Sequence, residues 1–215
     1  MSRRLPIVST IVVLLAALLM VRLGFWQLHR LGEKEMLLAR YAANETRPPA
    51  PLAALYPASD ADLFRRTSGW CLAVTGWQVE AGRDHAGHPG WRHIALCRTG
   101  AEGPGFAADV GVSQSDTPPV GWKGGAVSGR LSWLPNHLPL VSLMMGARPP
   151  RVPMIVAEQP APGLAASAQP DPSSIPNNHL SYAVQWFIFA ALALVIYGVA
   201  LWRRGRSVAQ ERRRR

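Results

Sequence analysis

The sequence predicts a membrane protein of the α+β class, with two terminal transmembrane helices flanking a small β-rich extracytoplasmic domain. Three observations predict it. A long apolar run lies near each end, basic residues cluster outside those runs, and strand-like segments separated by turn residues fill the middle. A length of 215 residues suits one domain of roughly 150 residues plus two anchors.

The first span is expected over residues 5–28, after a short cytoplasmic segment, residues 1–4. Some 17 uncharged residues precede Arg22, near the short limit for crossing about 30 Å of hydrocarbon. Arg22 can reach outward to the interface, and Trp26 suits that depth. A basic start and an apolar core are shared with signal peptides. However, Leu19-Met-Val-Arg-Leu-Gly-Phe-Trp follows directly, with no small-x-small site and polar mature start, so an uncleaved anchor is expected. The second span, residues 180–202, carries no charge, with Tyr182 and Trp186 near one interface and Trp202 near the other.

Charge sets the expected orientation. The chain is formally +10, yet residues 28–179 hold 13 Lys and Arg against 12 Asp and Glu. The excess lies in Arg3, Arg4 and the tail 203–215, where seven arginines face a single Glu211. This is the positive-inside pattern, which puts both termini in the cytoplasm and the middle domain outside it. Attraction of the tail to anionic lipid explains the high pI. A nucleic-acid partner would require the basic stripe on the folded domain, so none is expected.

The domain is expected over residues 29–159. Arg30 to Tyr41 reads as a helix leaving the membrane, with Met36, Leu37 and Tyr41 on an apolar face and Arg47-Pro-Pro-Ala-Pro as its stop. A short helix is expected from Ser59 to Phe64, capped by Ser59 or Asp60. Strands are expected at 69–79, 90–98, 106–113, 125–134 and 154–157. Residues 160–179 are rich in Ala, Pro and Ser and read as a tether back to the membrane. The two cysteines, Cys71 and Cys97, are disulfide candidates if the first two strands form a hairpin, because an antiparallel register brings them nearly opposite. Two unpaired thiols are the alternative.

No Gly-x-Ser-x-Gly, Walker A, Cys-x-x-Cys or haem-attachment motif is present, so the residues give no support for an enzyme. His85, His88 and His93 have spacing compatible with copper or zinc, but also with a solvated loop. His137 has no partner in sequence, and His29 lies just outside the first span. His179 falls in the first turn of the second helix, with Asn177 or Asn178 as cap, at the outer membrane boundary. There a neutral imidazole could serve as axial ligand to a large apolar macrocycle such as haem, or only help solvate the helix end.

Two segments carry a family resemblance. Leu23-Gly-Phe-Trp-Gln-Leu-His-Arg-Leu-Gly-Glu-Lys resembles the signature leaving the first span of Surfeit locus 1 proteins. Asn177-Asn-His-Leu-Ser-Tyr-Ala-Val-Gln-Trp-Phe resembles that family's entry to the second. The middle domain departs from the pattern: Ala108-Asp-Val-Gly-Val-Ser stands nearest the family's Asn-Arg-Gly-Trp strand.

The resemblance implies an assembly factor for haem-copper (cytochrome c type) oxidase in a bacterial inner membrane. It would bind haem a transiently and deliver it to subunit I, with a haem a synthesis enzyme as a possible second partner. By the same resemblance His179 would be the axial ligand to the haem iron. Trp26, Arg30, Tyr182 and Trp186 would complete the cofactor-binding surface, beside Gly24 and Gln27. Two rivals remain at this point: a periplasmic copper metallochaperone using His85, His88 and His93, and a cofactor-free scaffold.

Overall fold

The computed structural model describes residues 6–101, 103–119, 121–146 and 150–214. Arg3, Arg4 and Arg215, on which part of the charge argument rests, lie outside them. The described chain divides into two compact units: a helical unit, made from residues up to Leu37 and from Pro176 onward, and a sheet unit, Leu38–Ile175.

Helices α1 (Ile7–Thr46) and α3 (His179–Arg214) supply the helical unit. At about 1.5 Å per residue, the 40 residues of α1 extend roughly 60 Å, about twice a hydrocarbon core. The expected first span and the expected emerging helix are therefore one continuous element. Mean hydropathy reaches 2.4 and 2.2 in the most apolar stretches of the two helices, and only 11% and 6% of those stretches is buried. Exposed apolar surface on this scale needs lipid or a partner to cover it.

The two helices run antiparallel. Thr10 Oγ1 lies 2.7 Å from the Tyr197 hydroxyl at one end, and Gln27 Oε1 lies 2.7 Å from His179 Nδ1 at the other. Between them, Ala17, Ala183 and Ala190 are buried. Gly24 lies under the Phe187 ring, where a Cβ would come within 2.6 Å of a ring carbon. Small residues permit this close approach, the usual basis of helix pairing in lipid. Phe25 adds an edge-on contact with Phe187 at 5.3 Å.

The sheet unit contains seven strands: β1 (Ala50–Pro51), β2 (Arg66–Cys71), β3 (Ala73–Arg83), β4 (Pro89–Arg98), β5 (Phe106–Ser113), β6 (Gly125–Trp133) and β7 (Pro153–Ala157). A short helix, α2 (Leu140–Met144), lies between β6 and β7. The sheet is mixed, in the order β1-β2-β6-β7-β5-β4-β3, with β1–β2 and β5–β7 parallel and the other pairs antiparallel. Strand β7 is buried throughout, and β5 at every position but its last. Their alternate side chains feed two cores. Phe106, Ala108, Val110, Leu131 and Ile155 pack on one side, and Ile94, Ala107, Met154 and Val156 on the other.

The sheet unit also grips the last turns of α1. Asn44 Nδ2 donates to the carbonyls of Ala61 (2.7 Å) and Leu63 (2.9 Å), Tyr41 packs on Phe64 at 4.8 Å, and Glu45 pairs with Arg130. The helix expected at Ser59–Phe64 is a single 3-10 turn, Asp60–Asp62. Ser59 starts it by donating its N–H and hydroxyl to the Asp62 carboxylate.

Two expectations require correction. The stretch 69–79 is not one strand: the chain changes partner at Leu72, with β2 pairing to β6 and β3 to β4. Cys97 stands opposite Val74, and Cys71 opposite Gly125. The expected disulfide joins Cys71 to Cys97, with Cα atoms 5.1 Å apart, and clamps the partner change at the open end of the β3–β4 hairpin. Secondly, the segment read as a tether is bound to the sheet unit through most of its length. Ala165 exchanges hydrogen bonds with Val112, Ala161 N–H donates to Val110, and Ala168 N–H donates to Arg83. Proline and alanine mask no backbone carbonyls, so such a stretch can still pair with a strand whose neighbouring groups are open.

Candidate functional site

The residues expected from sequence lie on α1 and α3, which join through Gln27 and His179. Helix α3 begins at His179, and the Tyr182 N–H donates to the Asn178 carbonyl at 3.2 Å, so Asn178 stands at the cap. The half-buried His179 ring is fixed by one contact, the 2.7 Å hydrogen bond between its Nδ1 and Gln27 Oε1. Its Nε2 makes no hydrogen bond among the described residues. Tyr182 and Trp186 follow at the third and seventh positions after His179 and share its stripe of the helix. Tyr182 is exposed, and Trp186 sets its ring edge-on to Phe189 at 6.3 Å.

On α1, Trp26 and Arg30 lie one turn apart on a neighbouring stripe. Trp26 is half exposed. Arg30 pairs with Glu33, which also meets His29 at 3.1 Å. An exposed pair of this kind contributes at most about 1 kcal/mol, so Arg30 remains free to exchange Glu33 for an external anion. Of the expected residues, the structure brings His179 and Gln27 into direct contact. It places Trp26, Arg30, Tyr182 and Trp186 on the two participating helices without bonds between them among the described residues. The two helices thus carry one imidazole whose Nε2 makes no hydrogen bond among the described residues, three aromatic side chains and a guanidinium. That set matches a planar, largely apolar metal chelate with acidic edge groups.

The other histidines do not converge. His93 is fully buried in β4, with Nε2 2.8 Å from Ser113 Oγ, and burial pushes its pKa down. His88 lies on the surface against Asp84 at 3.0 Å, holding that carboxyl below its usual range. His137 bonds Glu80 at 2.8 Å. Among the described residues no three His, Cys, Asp or Glu side chains are grouped to hold a metal ion.

Sequence reasoning also missed a buried polar centre. Asp109, fully buried in β5, accepts from Arg92 Nε (2.8 Å) and Nη2 (2.7 Å), from Ser167 Oγ (2.7 Å) and from Gly111 N–H (3.2 Å). Gly111, at φ +132°, leaves no room for a Cβ, which would lie 2.6 Å from the Ala165 carbonyl. The only sequence signal was Asp109 itself, a charge inside an otherwise apolar strand. Its partners lie 17 and 58 residues away.

A protein-family model described as the SURF1 family matches residues 14–191, most of the chain and both helix-end motifs. The chain belongs to the SURF1 family. Among curated proteins, no sequence matches it. The SURF1 family is known for cytochrome oxidase assembly and is not a known enzyme class. Membership in the SURF1 family thus agrees with the pair of apolar helices and with a role in oxidase assembly.

Proposed function

We propose that this SURF1-family protein carries haem a transiently at the outer end of its helix pair and delivers it to subunit I of a haem-copper oxidase. His179 supplies the axial ligand through Nε2. Trp26, Tyr182 and Trp186 offer faces to the macrocycle, and Arg30 meets a propionate. A haem a synthesis enzyme is the natural donor. Both termini lie in the cytoplasm and the sheet unit in the periplasm of a bacterial inner membrane, as the arginine distribution favours.

The observation that carries this reading is the state of His179. Its ring is fixed at the first residue of α3 through Nδ1, while Nε2 makes no hydrogen bond among the described residues. A histidine that only solvated a helix end would need no such fixing. The copper reading has no comparable support, since His85, His88 and His93 do not form a donor set.

The test is haem a content of the assembled oxidase in a host lacking this protein, rescued by variants. His179→Ala should fail to restore it, while His85→Ala/His88→Ala/His93→Gln, which removes the set the copper reading uses, should restore it fully. The reverse pattern would overturn the proposal. Full rescue by all variants would leave the helices acting as a scaffold only.

A further inference from the structure

We infer that Gln27 is the positioning residue that fixes the tautomer of His179, and with it the strength of the axial donor. The inference rests on the haem-carrier reading above and concerns a residue that reading does not assign. A neutral imidazole has one N–H and one lone pair, and whichever nitrogen donates a hydrogen bond leaves the other to coordinate. The Gln27 side-chain oxygen lies 2.7 Å from His179 Nδ1. An oxygen acceptor at that distance requires the proton on Nδ1, which leaves the lone pair on Nε2. Without an acceptor there, the proton is free to reside on Nε2 and block coordination.

The geometry is not a local accident of one helix. Gln27 and His179 are 152 residues apart, and α1 is brought close to α3 by Gly24, less than one turn before Gln27, under Phe187. Gln27 follows Gly24 by three positions and so faces the same partner helix. The half-buried setting makes this hydrogen bond count for more than it would in water.

The choice of an amide has a consequence. Metal-bound histidines commonly donate the second N–H to a carboxylate or a carbonyl, and the acceptor's charge sets ligand basicity. A carboxylate makes the imidazole a stronger donor, stabilising ferric haem and lowering its reduction potential. The neutral amide of Gln27 fixes the same tautomer while keeping the donor weaker, as suits cargo that must leave.

The test is titration of the full-length, detergent-purified protein and its Gln27→Leu, Gln27→Glu and His179→Ala variants with hemin. Affinity is read from the Soret band and reduction potential by spectroelectrochemistry. Gln27→Leu should bind about 10–100-fold more weakly. Gln27→Glu should bind ferric haem at least as tightly as the wild type, with a more negative potential. A purely structural Gln27 would leave the potential of bound haem unchanged in both variants. That result, or undiminished affinity in Gln27→Leu, overturns the inference. Should Gln27→Leu fail to fold, the potential of Gln27→Glu decides alone. Unaltered binding in His179→Ala, or none in the wild type, would instead overturn the carrier reading itself.

Discussion

Asp109 shows how one residue holds distant parts of the sheet unit together. Its carboxylate is enclosed by Arg92 of β4, Ser167 of the 160–175 segment and the Gly111 N–H. Breaking a buried pair by removing one partner strands the other charge, so Asp109→Ala should cost about 3–5 kcal/mol in chemical denaturation. His93, close by, makes stability depend on pH. Burial lowers its pKa when folded, so between that value and the ordinary ~6.5 the unfolded chain binds more protons than the folded one. Stability therefore rises with pH across this window and is lost on acidification. Thermal midpoints should fall between pH 7.5 and 5.5, and His93→Gln should reduce the fall. An equal fall in both proteins would show that other groups are responsible. Asp109 could be flagged in sequence as a misplaced charge, but neither Arg92 nor Ser167 could, because a β-bulge and a long return set their positions.

At the scale of elements, local pattern was a good guide wherever one stretch of chain determined the outcome. The two apolar helices, the hairpin around residues 84–88 and strands β4, β5 and β6 follow from hydropathy, alternation and turn residues. What could not be read was pairing between segments far apart. The parallel β5–β7 pair and the switch of partners at Leu72 depend on strand order, which no window of sequence contains. The disulfide shows both sides: the cysteines and the hairpin that brings them together were apparent, but not that Cys71 lies on the preceding strand, three positions before the partner of Cys97. It closes a separation of 26 residues, so replacing both cysteines by serine should cost about 3–4 kcal/mol in denaturant unfolding of the sheet unit. In the helical unit, Gly24→Leu would drive a side chain into the Phe187 ring. Overpacking of this kind costs about 1–3 kcal/mol. Detergent-unfolding curves should show the loss, and adding Phe187→Ala should restore part of it. No rescue would mean that Gly24 is needed for another reason.

For the whole molecule, the antiparallel helix pair puts Ile7 and Arg206 at one end of the helical unit and Gln27 and His179 at the other. The proposed topology makes that second end periplasmic, along with the sheet unit. A cysteine at exposed Ser115, in an otherwise disulfide-bonded protein, should react with a membrane-impermeant maleimide once the outer membrane is opened. Labelling only after inner-membrane lysis would invert the topology. The residues of the proposed site, His179, Trp26, Arg30, Tyr182 and Trp186, were legible as two motifs. Its geometry was not, because the Gln27–His179 bond exists only when the two helices pack.

Whether His179 holds haem is tested most directly by an absorbance spectrum of the protein purified from cells that make haem a, beside His179→Ala. A Soret band with haem a features is expected in the wild type, lost or strongly weakened in the variant. Equal haem in both, with both proteins folded and membrane-inserted, would contradict that role.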